Sequence, residues 1–176
     1  MRKRIIIQYR RKKEGKTNYS KRLSLLKSGK IRLVVRKSLK NMVIQLVEYV
    51  PEGDKIIVGY NTRSLEKQGW KHSKNNLPAA YLGGLIIGKL GLGKKINEAV
   101  LDLGLHTSIK GSRIYAVVKG AIDAGLNIPC SEEMFPSEDR LTGKHITDYS
   151  AKKNISGAES LQKDFTSMKE NIIKGN

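Results

Sequence analysis

The chain has one cysteine, Cys130, in 176 residues. A single thiol closes no intramolecular disulfide, and no group of Cys and His has zinc-ligand spacing, so a disulfide scaffold and a zinc module are both excluded. A reducing, intracellular compartment is the expectation. Long apolar runs are equally scarce. The longest uncharged stretch in the middle of the chain, residues 75–88, holds a proline, two asparagines and three glycines. Its apolar part is well short of the roughly 18 residues a membrane helix needs, so no membrane partner is expected. At the N-terminus Ile5, Ile6 and Ile7 give way to Gln8 and Tyr9. That is too short for a signal peptide, which predicts a mature chain beginning at or near Met1. No internal repeat or low-complexity tract is present.

Acidic residues are the other shortage: 16 Asp and Glu face 34 Lys and Arg, for a net charge of +18 and a pI near 10.0. The imbalance is local. Residues 1–40 hold 16 basic residues against Glu14 alone, net +15, whereas residues 41–176 are nearly balanced at +3. Hydrophobic residues make up 39% of the chain, enough for a core, and wholesale disorder is not expected. The length suits one domain with extensions, since domains peak at roughly 100 to 150 residues.

Arg10-Arg11-Lys12-Lys13 repels itself in isolation, which disfavours an autonomous fold and points to a polyanionic partner. A localisation signal needs only charge. Here Tyr9, Tyr19, Thr17, Asn18 and Ser20 are interleaved with Lys16, Lys21 and Arg22. Aromatic faces stack on bases or sugars, and hydroxyls and amides bond phosphate or the 2′-hydroxyl, so nucleic acid is the expected partner.

Ile31 to Arg36 has β-branched character with cations at near-alternating positions, and Lys37 to Asn41 follows as a turn. Met42–Val50 and Asp54–Asn61 read as two further strands joined at Pro51-Glu52-Gly53, completing an antiparallel meander. After a polar connection, residues 62–76, Pro78 starts an apolar helix over residues 79–90. Its Ala80, Gly84 and Gly88 fall four apart, a small-residue face suited to close packing on a sheet. Ala99 to Leu103 is a short apolar run of the kind found in buried parallel strands. Residues 112–124 form a second amphipathic helix with Ile114, Val117, Val118, Ala121 and Ile122 inward. The expected fold is α/β: a mixed sheet with helices packed against it. Residues 1–28 are a basic arm, 29–128 the core domain, and 129–176 an irregular C-terminal extension, with a terminal helix over residues 156–173.

Chemical motifs are few. Gly88 to Lys95 nearly matches a phosphate-binding P-loop, but Lys95 stands where Ser or Thr should hold magnesium, and the segment follows a helix, not a strand. His72, His106 and His145 are scattered, with no nucleophile signature beside them. Glu132, Glu133, Glu138 and Asp139 could supply paired carboxylates for a metal-dependent nuclease, or solvate a loop or pair with the arm. No cofactor or metal site can be assembled. Lys110-Gly111-Ser112-Arg113 enters the second helix with a hydroxyl and two cations. A helix N-terminus so furnished can take phosphate or be capped by Ser112. Neither core helix carries an exposed run of base-reading side chains, so duplex DNA is not the expected partner.

The ordered set of segments carries a resemblance. Tyr9 to Tyr19, Arg32 to Ser38, Gly69-Trp70-Lys71, Asn75 to Leu82, Ala99 to His106, Lys110 to Pro129 and Pro136 to Ile146 together resemble the large-subunit ribosomal protein family that binds 5S ribosomal RNA, numbered eighteen in bacteria and archaea and five in eukaryotes. Coverage runs from about Tyr9 to Tyr149. The Lys16-Thr17-Asn18-Tyr19 arm and Ser137-Glu138-Asp139-Arg140, with the total length, look archaeal.

The resemblance implies a ribonuclease-H-like mixed sheet without nuclease activity, a structural protein rather than an enzyme. It also implies a place in the central protuberance of the large subunit in the cytoplasm, bound to 5S rRNA beside the 23S/28S-type rRNA and neighbouring ribosomal proteins. Carried onto this sequence, the RNA-binding candidates are Tyr9, Arg10, Arg11, Lys12, Lys13, Lys16, Thr17, Asn18, Tyr19, Lys21 and Arg22 in the arm, then Arg32, Arg36, Lys37, Trp70, Lys71, Lys110, Ser112 and Arg113. An RNA-processing nuclease on a similar layer is the alternative. Ile5-Ile6-Ile7 and the tail after Tyr149 depart from the family pattern.

Overall fold

The computed structural model describes residues 7–154, 157 and 159–175. Ile5 and Ile6, and Ser156, the expected start of the terminal helix, lie outside the described residues. The basic arm has structure of its own: a single turn α1 (Arg10–Lys13) and a helix α2 (Tyr19–Leu26). Asn18 caps α2, its side-chain oxygen accepting from the Lys21 N–H at 3.1 Å.

Strand alternation builds the sheet that follows. β1 (Arg32–Lys37), β2 (Met42–Val50) and β3 (Gly53–Asn61) form the antiparallel meander, and β4 (Val100–Asp102) pairs parallel to β1, giving the order β3-β2-β1-β4. In register, Leu33 faces Leu46 and Val35 faces Ile44. These four and Met42 are fully buried on one face. Arg32, Val34 and Arg36, with Gln45 and Val47 across from them, take the opposite face because side chains alternate along a strand. A bulge between Leu46 and Val47 leaves Ile57 without a partner and brings Asp54 opposite Tyr49.

The apolar face is covered by α3 (Leu77–Gly93) and α4 (Arg113–Asp123). The side-chain oxygen of Asn76 caps α3 by accepting from the Ala79 N–H at 2.9 Å, and Pro78 sits in the first turn. The small face of α3 packs on α4 rather than on the sheet. A Cβ on Gly84 would overlap the Val117 carbonyl of α4, and one on Gly120 of α4 would overlap the Tyr81 carbonyl. It is Gly83 and Gly91 that meet the sheet, where an added Cβ would press on Ile44 and Leu46 at 2.9 and 2.7 Å. Successive helical residues turn by about 100°, so one glycine-rich helix serves two neighbours.

Helix α3 also runs three residues past Leu90, through the glycines of the P-loop-like segment. It ends at Lys94 and Lys95, the latter at φ 61°.

The residues after 128 are more helical than expected. A 3₁₀ turn (Glu132–Met134), α5 (Glu138–Leu141), α6 (Lys144–Lys152) and α7 (Leu161–Lys174) follow in order. Leu161, Phe165 and Met168 recur at helical spacing and join the core with Leu141. The Phe165 ring lies 5.6 Å from that of Tyr81 on α3. Among the described residues no helix is long and apolar enough to cross a membrane.

Candidate nucleic-acid interface

The arm returns over the sheet face that α3 and α4 leave open. Between them lies a groove of about 770 Å³. Arg11, Lys16, Lys21 and Arg22 come to it from the arm, Val34, Arg36, Val47 and Ile56 from the strands, and Leu103, Leu105 and His106 from the loop after β4. Its walls are cationic and its floor is mixed.

Five charged side chains fix the arm to that face. Arg22 on α2 donates two hydrogen bonds to Asp54 on β3, each 2.8 Å. Arg32 on β1 places Nη2 at 2.8 Å from Asp54 Oδ1 and donates from Nη1 to Asp102 Oδ2 on β4 at 3.0 Å. Arg36 donates from Nη2 to Asp102 Oδ1 at 3.0 Å and from Nη1 to the Asp102 carbonyl at 2.7 Å. The Gly104 N–H also donates to Asp102 Oδ1, at 2.8 Å. The sequence Arg22, Asp54, Arg32, Asp102, Arg36 alternates in sign, which is what buried charges require. The Arg22 hydrogen bonds, with Arg32 adding to them, hold the Asp54 carboxyl down to about 2, while Asp54 in turn raises Arg22.

This arrangement sorts the candidate residues. Arg32 is 2% exposed and committed to two carboxylates, so it is a structural cation and not a phosphate ligand. Trp70 is buried at 1% exposure, its Nε1 donating to the Ser73 carbonyl at 3.1 Å, and its ring faces His72. It packs, and offers no face for a base.

Thr17 and Asn18 shape the arm: the Thr17 hydroxyl accepts from Arg11 Nε at 2.9 Å, and Asn18 is the α2 cap. Tyr9, 72% exposed, pairs with Tyr19 at 5.2 Å between ring centroids. Lys12 and Lys13 are exposed, and Arg10 and Lys16 flank Glu14 at 3.5 and 2.8 Å. Exposed ion pairs of this kind contribute at most about 1 kcal/mol and yield readily to a stronger anion.

Lys71 is exposed, and Lys110 pairs with Glu133 at 2.8 Å on the surface. Lys37, Ser112 and Arg113 line a different cavity. Sequence reasoning missed Asp54 and Asp102, the two carboxylates that organise the arginines. Asp102 had a signal, being the one charge inside an otherwise apolar run.

A mixed α/β layer with a cationic arm over its open face, and carboxylates given over to holding arginines, defines a protein built to meet a polyanion. Residues 3–98 and 92–131 match the family of ribosomal large subunit proteins 60S L5 and 50S L18. The chain belongs to that family. It is a structural, rRNA-binding component of the large subunit of the cytoplasmic ribosome, with a part in translation and not an enzyme. The nuclease alternative falls with this. Of its four candidate carboxylates, Glu133 pairs with Lys110 and Asp139 with Lys144.

Proposed function

We propose that the protein binds 5S rRNA and helps anchor it in the central protuberance of the large subunit, as an archaeal-type member of its family. Large-subunit rRNA and neighbouring ribosomal proteins complete its surroundings. The observation that carries this reading is the groove in which Arg11, Lys16 and Lys21 face an open sheet whose own charges are already paired. Arg10, Lys12 and Lys13 extend the cationic surface along α1, and Tyr9 with Tyr19 offers an aromatic pair at its base. Lys71 and Lys110 are further exposed contacts. Arg22, Arg32 and Arg36 serve the same end indirectly, by holding the arm where the RNA backbone would meet it.

The test is a competition assay of the full chain against 5S rRNA, unrelated structured RNA and duplex DNA across a salt series. The expected result is a preference for 5S rRNA that persists at high salt. Replacing Lys12, Lys13, Lys16 and Lys21 together by Gln should make log K less steep in log salt by about 0.7 to 0.9 for each phosphate no longer neutralised. Equal affinity for all three nucleic acids, or 5S binding indifferent to the four substitutions, would overturn the proposal.

A further inference from the structure

Two loops leave the sheet at the same end. β1 and β4 run parallel, so the turn after β1 and the loop between β4 and α4 both emerge past the carboxyl ends of those strands. Each presents apolar side chains to water: Leu39 is 96% exposed on the turn, and Leu105 and Ile109 are 56% and 55% exposed on the loop. Singly exposed leucines are ordinary on protein surfaces. What sets these apart is that they share one end of the sheet and that the backbone beneath them is held firmly.

The Ser38 N–H and hydroxyl both donate to the Asn41 carbonyl, at 2.9 and 2.7 Å, and the Asn41 N–H donates back to the Ser38 hydroxyl at 3.1 Å. Asn75 donates from Nδ2 to the carbonyls of Ser38 and Leu39 at 2.9 and 2.7 Å, and its own carbonyl accepts from Arg113 at 2.9 Å. The turn that carries Leu39 is thus tied to the starts of both core helices. The loop after β4 is fixed as well. The Gly104 N–H donates to Asp102 Oδ1 at 2.8 Å, the Gly111 N–H to the Met134 carbonyl at 2.9 Å, and the Ser108 and Tyr115 hydroxyls share a hydrogen bond of 2.5 Å. Backbone already fixed in this way loses little further freedom on association, which favours binding.

Lys37 and Lys40 flank Leu39, and among the described residues neither meets an acidic oxygen within 4.0 Å. Burial lowers the His106 imidazole, and Lys37 and Arg36 lower it further, so the two loops lie within reach of one another's charge. Cations alone fit a polyanion, but a phosphate surface has nothing to cover three aliphatic side chains, and a base step accepts one only by unstacking. A protein surface meets both demands, with apolar side chains at its centre and carboxylates at its rim. We infer that this end of the sheet is a docking surface for a neighbouring protein of the large subunit, one that receives Leu39 in an apolar pocket, packs on Leu105 and Ile109, and sets Asp or Glu beside Lys37 and Lys40. The inference rests on the chain's place in the large subunit and not on which rRNA the arm binds.

The experiment places a photo-crosslinking benzophenone amino acid at position 39 of the full chain and irradiates large subunits that contain it. The expected adduct is with a ribosomal protein, at an apolar stretch that mass spectrometry shows to neighbour Asp or Glu. Adding Lys40→Glu should lower the adduct yield about tenfold, since like charges at a rim repel. Leu39→Ala alters a side chain that lies in water, so the free chain should keep its thermal melt and its binding of 5S rRNA. Mixed with the unaltered chain during subunit assembly, the Leu39→Ala chain should be taken up about tenfold less well, the loss expected on removing a central anchor. An adduct with rRNA, the absence of a protein adduct, or weaker 5S rRNA binding by Leu39→Ala would overturn the protein-docking assignment while leaving the arm's RNA binding as it stands. A yield indifferent to Lys40→Glu would overturn the acidic rim, and equal uptake of the Leu39→Ala chain would overturn Leu39 as the anchor.

Discussion

Arg32 Nη1 donates to Asp102 Oδ2 at 3.0 Å across 70 positions of sequence, while Nη2 of the same guanidinium meets Asp54 Oδ1 at 2.8 Å. One buried side chain on β1 therefore reaches its parallel neighbour β4 and, over the top of β2, the far strand β3. Asp54 then carries the connection to Arg22 and the arm. The groove between the arm and the sheet is thus lined in part by charges already paired with one another.

Asp102 is the centre of that arrangement, so replacing it by Ala should leave Arg36 without a carboxylate and the buried Arg32 with Asp54 alone. The expected loss is about 3 to 5 kcal/mol, the range for breaking a buried pair from one side. Urea unfolding measures it, and a loss under about 1 kcal/mol would mean the pairs are incidental.

Asp54 makes the docked arm sensitive to acid. Its folded-state value, about 2, lies below the ordinary 3.8. Its contribution is therefore full above about pH 4 and is lost as pH falls toward 2. Stability measured between pH 5 and pH 2 should drop over this window, and Asp54→Asn should flatten the drop. An identical acid limb in the variant would show that other carboxylates govern it.

Gly84 and Gly120 allow α3 and α4 to touch through their backbones. Ala at either position meets a carbonyl oxygen, which cannot move aside as a side-chain tip can. A destabilisation of about 3 kcal/mol or more is expected. Gly93, near the end of α3, has open space around it, and Gly93→Ala should be neutral or slightly stabilising. Thermal melts of the three variants give the comparison.

The arm can be cut at two places with different results. Removing residues 1–17 spares Asn18, Arg22 and the contact with Asp54, so stability should hold within about 1 kcal/mol while RNA affinity falls sharply. Removing residues 1–22 also strips Asp54 of its bidentate partner. That truncation alone should lose the part of the acid sensitivity that Arg22 creates. Equal pH profiles for the two truncations would count against the Arg22–Asp54 link.

Much of the fold can be read along the chain. The three meander strands and both core helices lie where alternation and helical periodicity put them, because those patterns are set by which residues must leave water. Helix α3 outruns its expected end because glycine is a poor helix former in general, yet here Gly91 packs closely on Leu46 of the sheet. The C-terminal helix α7 is legible as a helix, but not that Phe165 reaches Tyr81 on α3.

The amino-acid sequence by itself determined that a strongly basic arm precedes an α/β core, and its motifs carried the family. Charge density and hydrophobic period are local properties, complete once the residues are in order. Which cations stay free was decided only by the tertiary structure. Arg32 and Arg36 look no different in sequence from Lys12 and Lys21, but pairing β1 with β4 brings Asp102 beneath both arginines, and the bulge in the hairpin brings Asp54 to the arm. A carboxylate 70 positions away neutralises a guanidinium only when the chain has folded, since Coulomb attraction and hydrogen bonding act over ångströms and not along sequence.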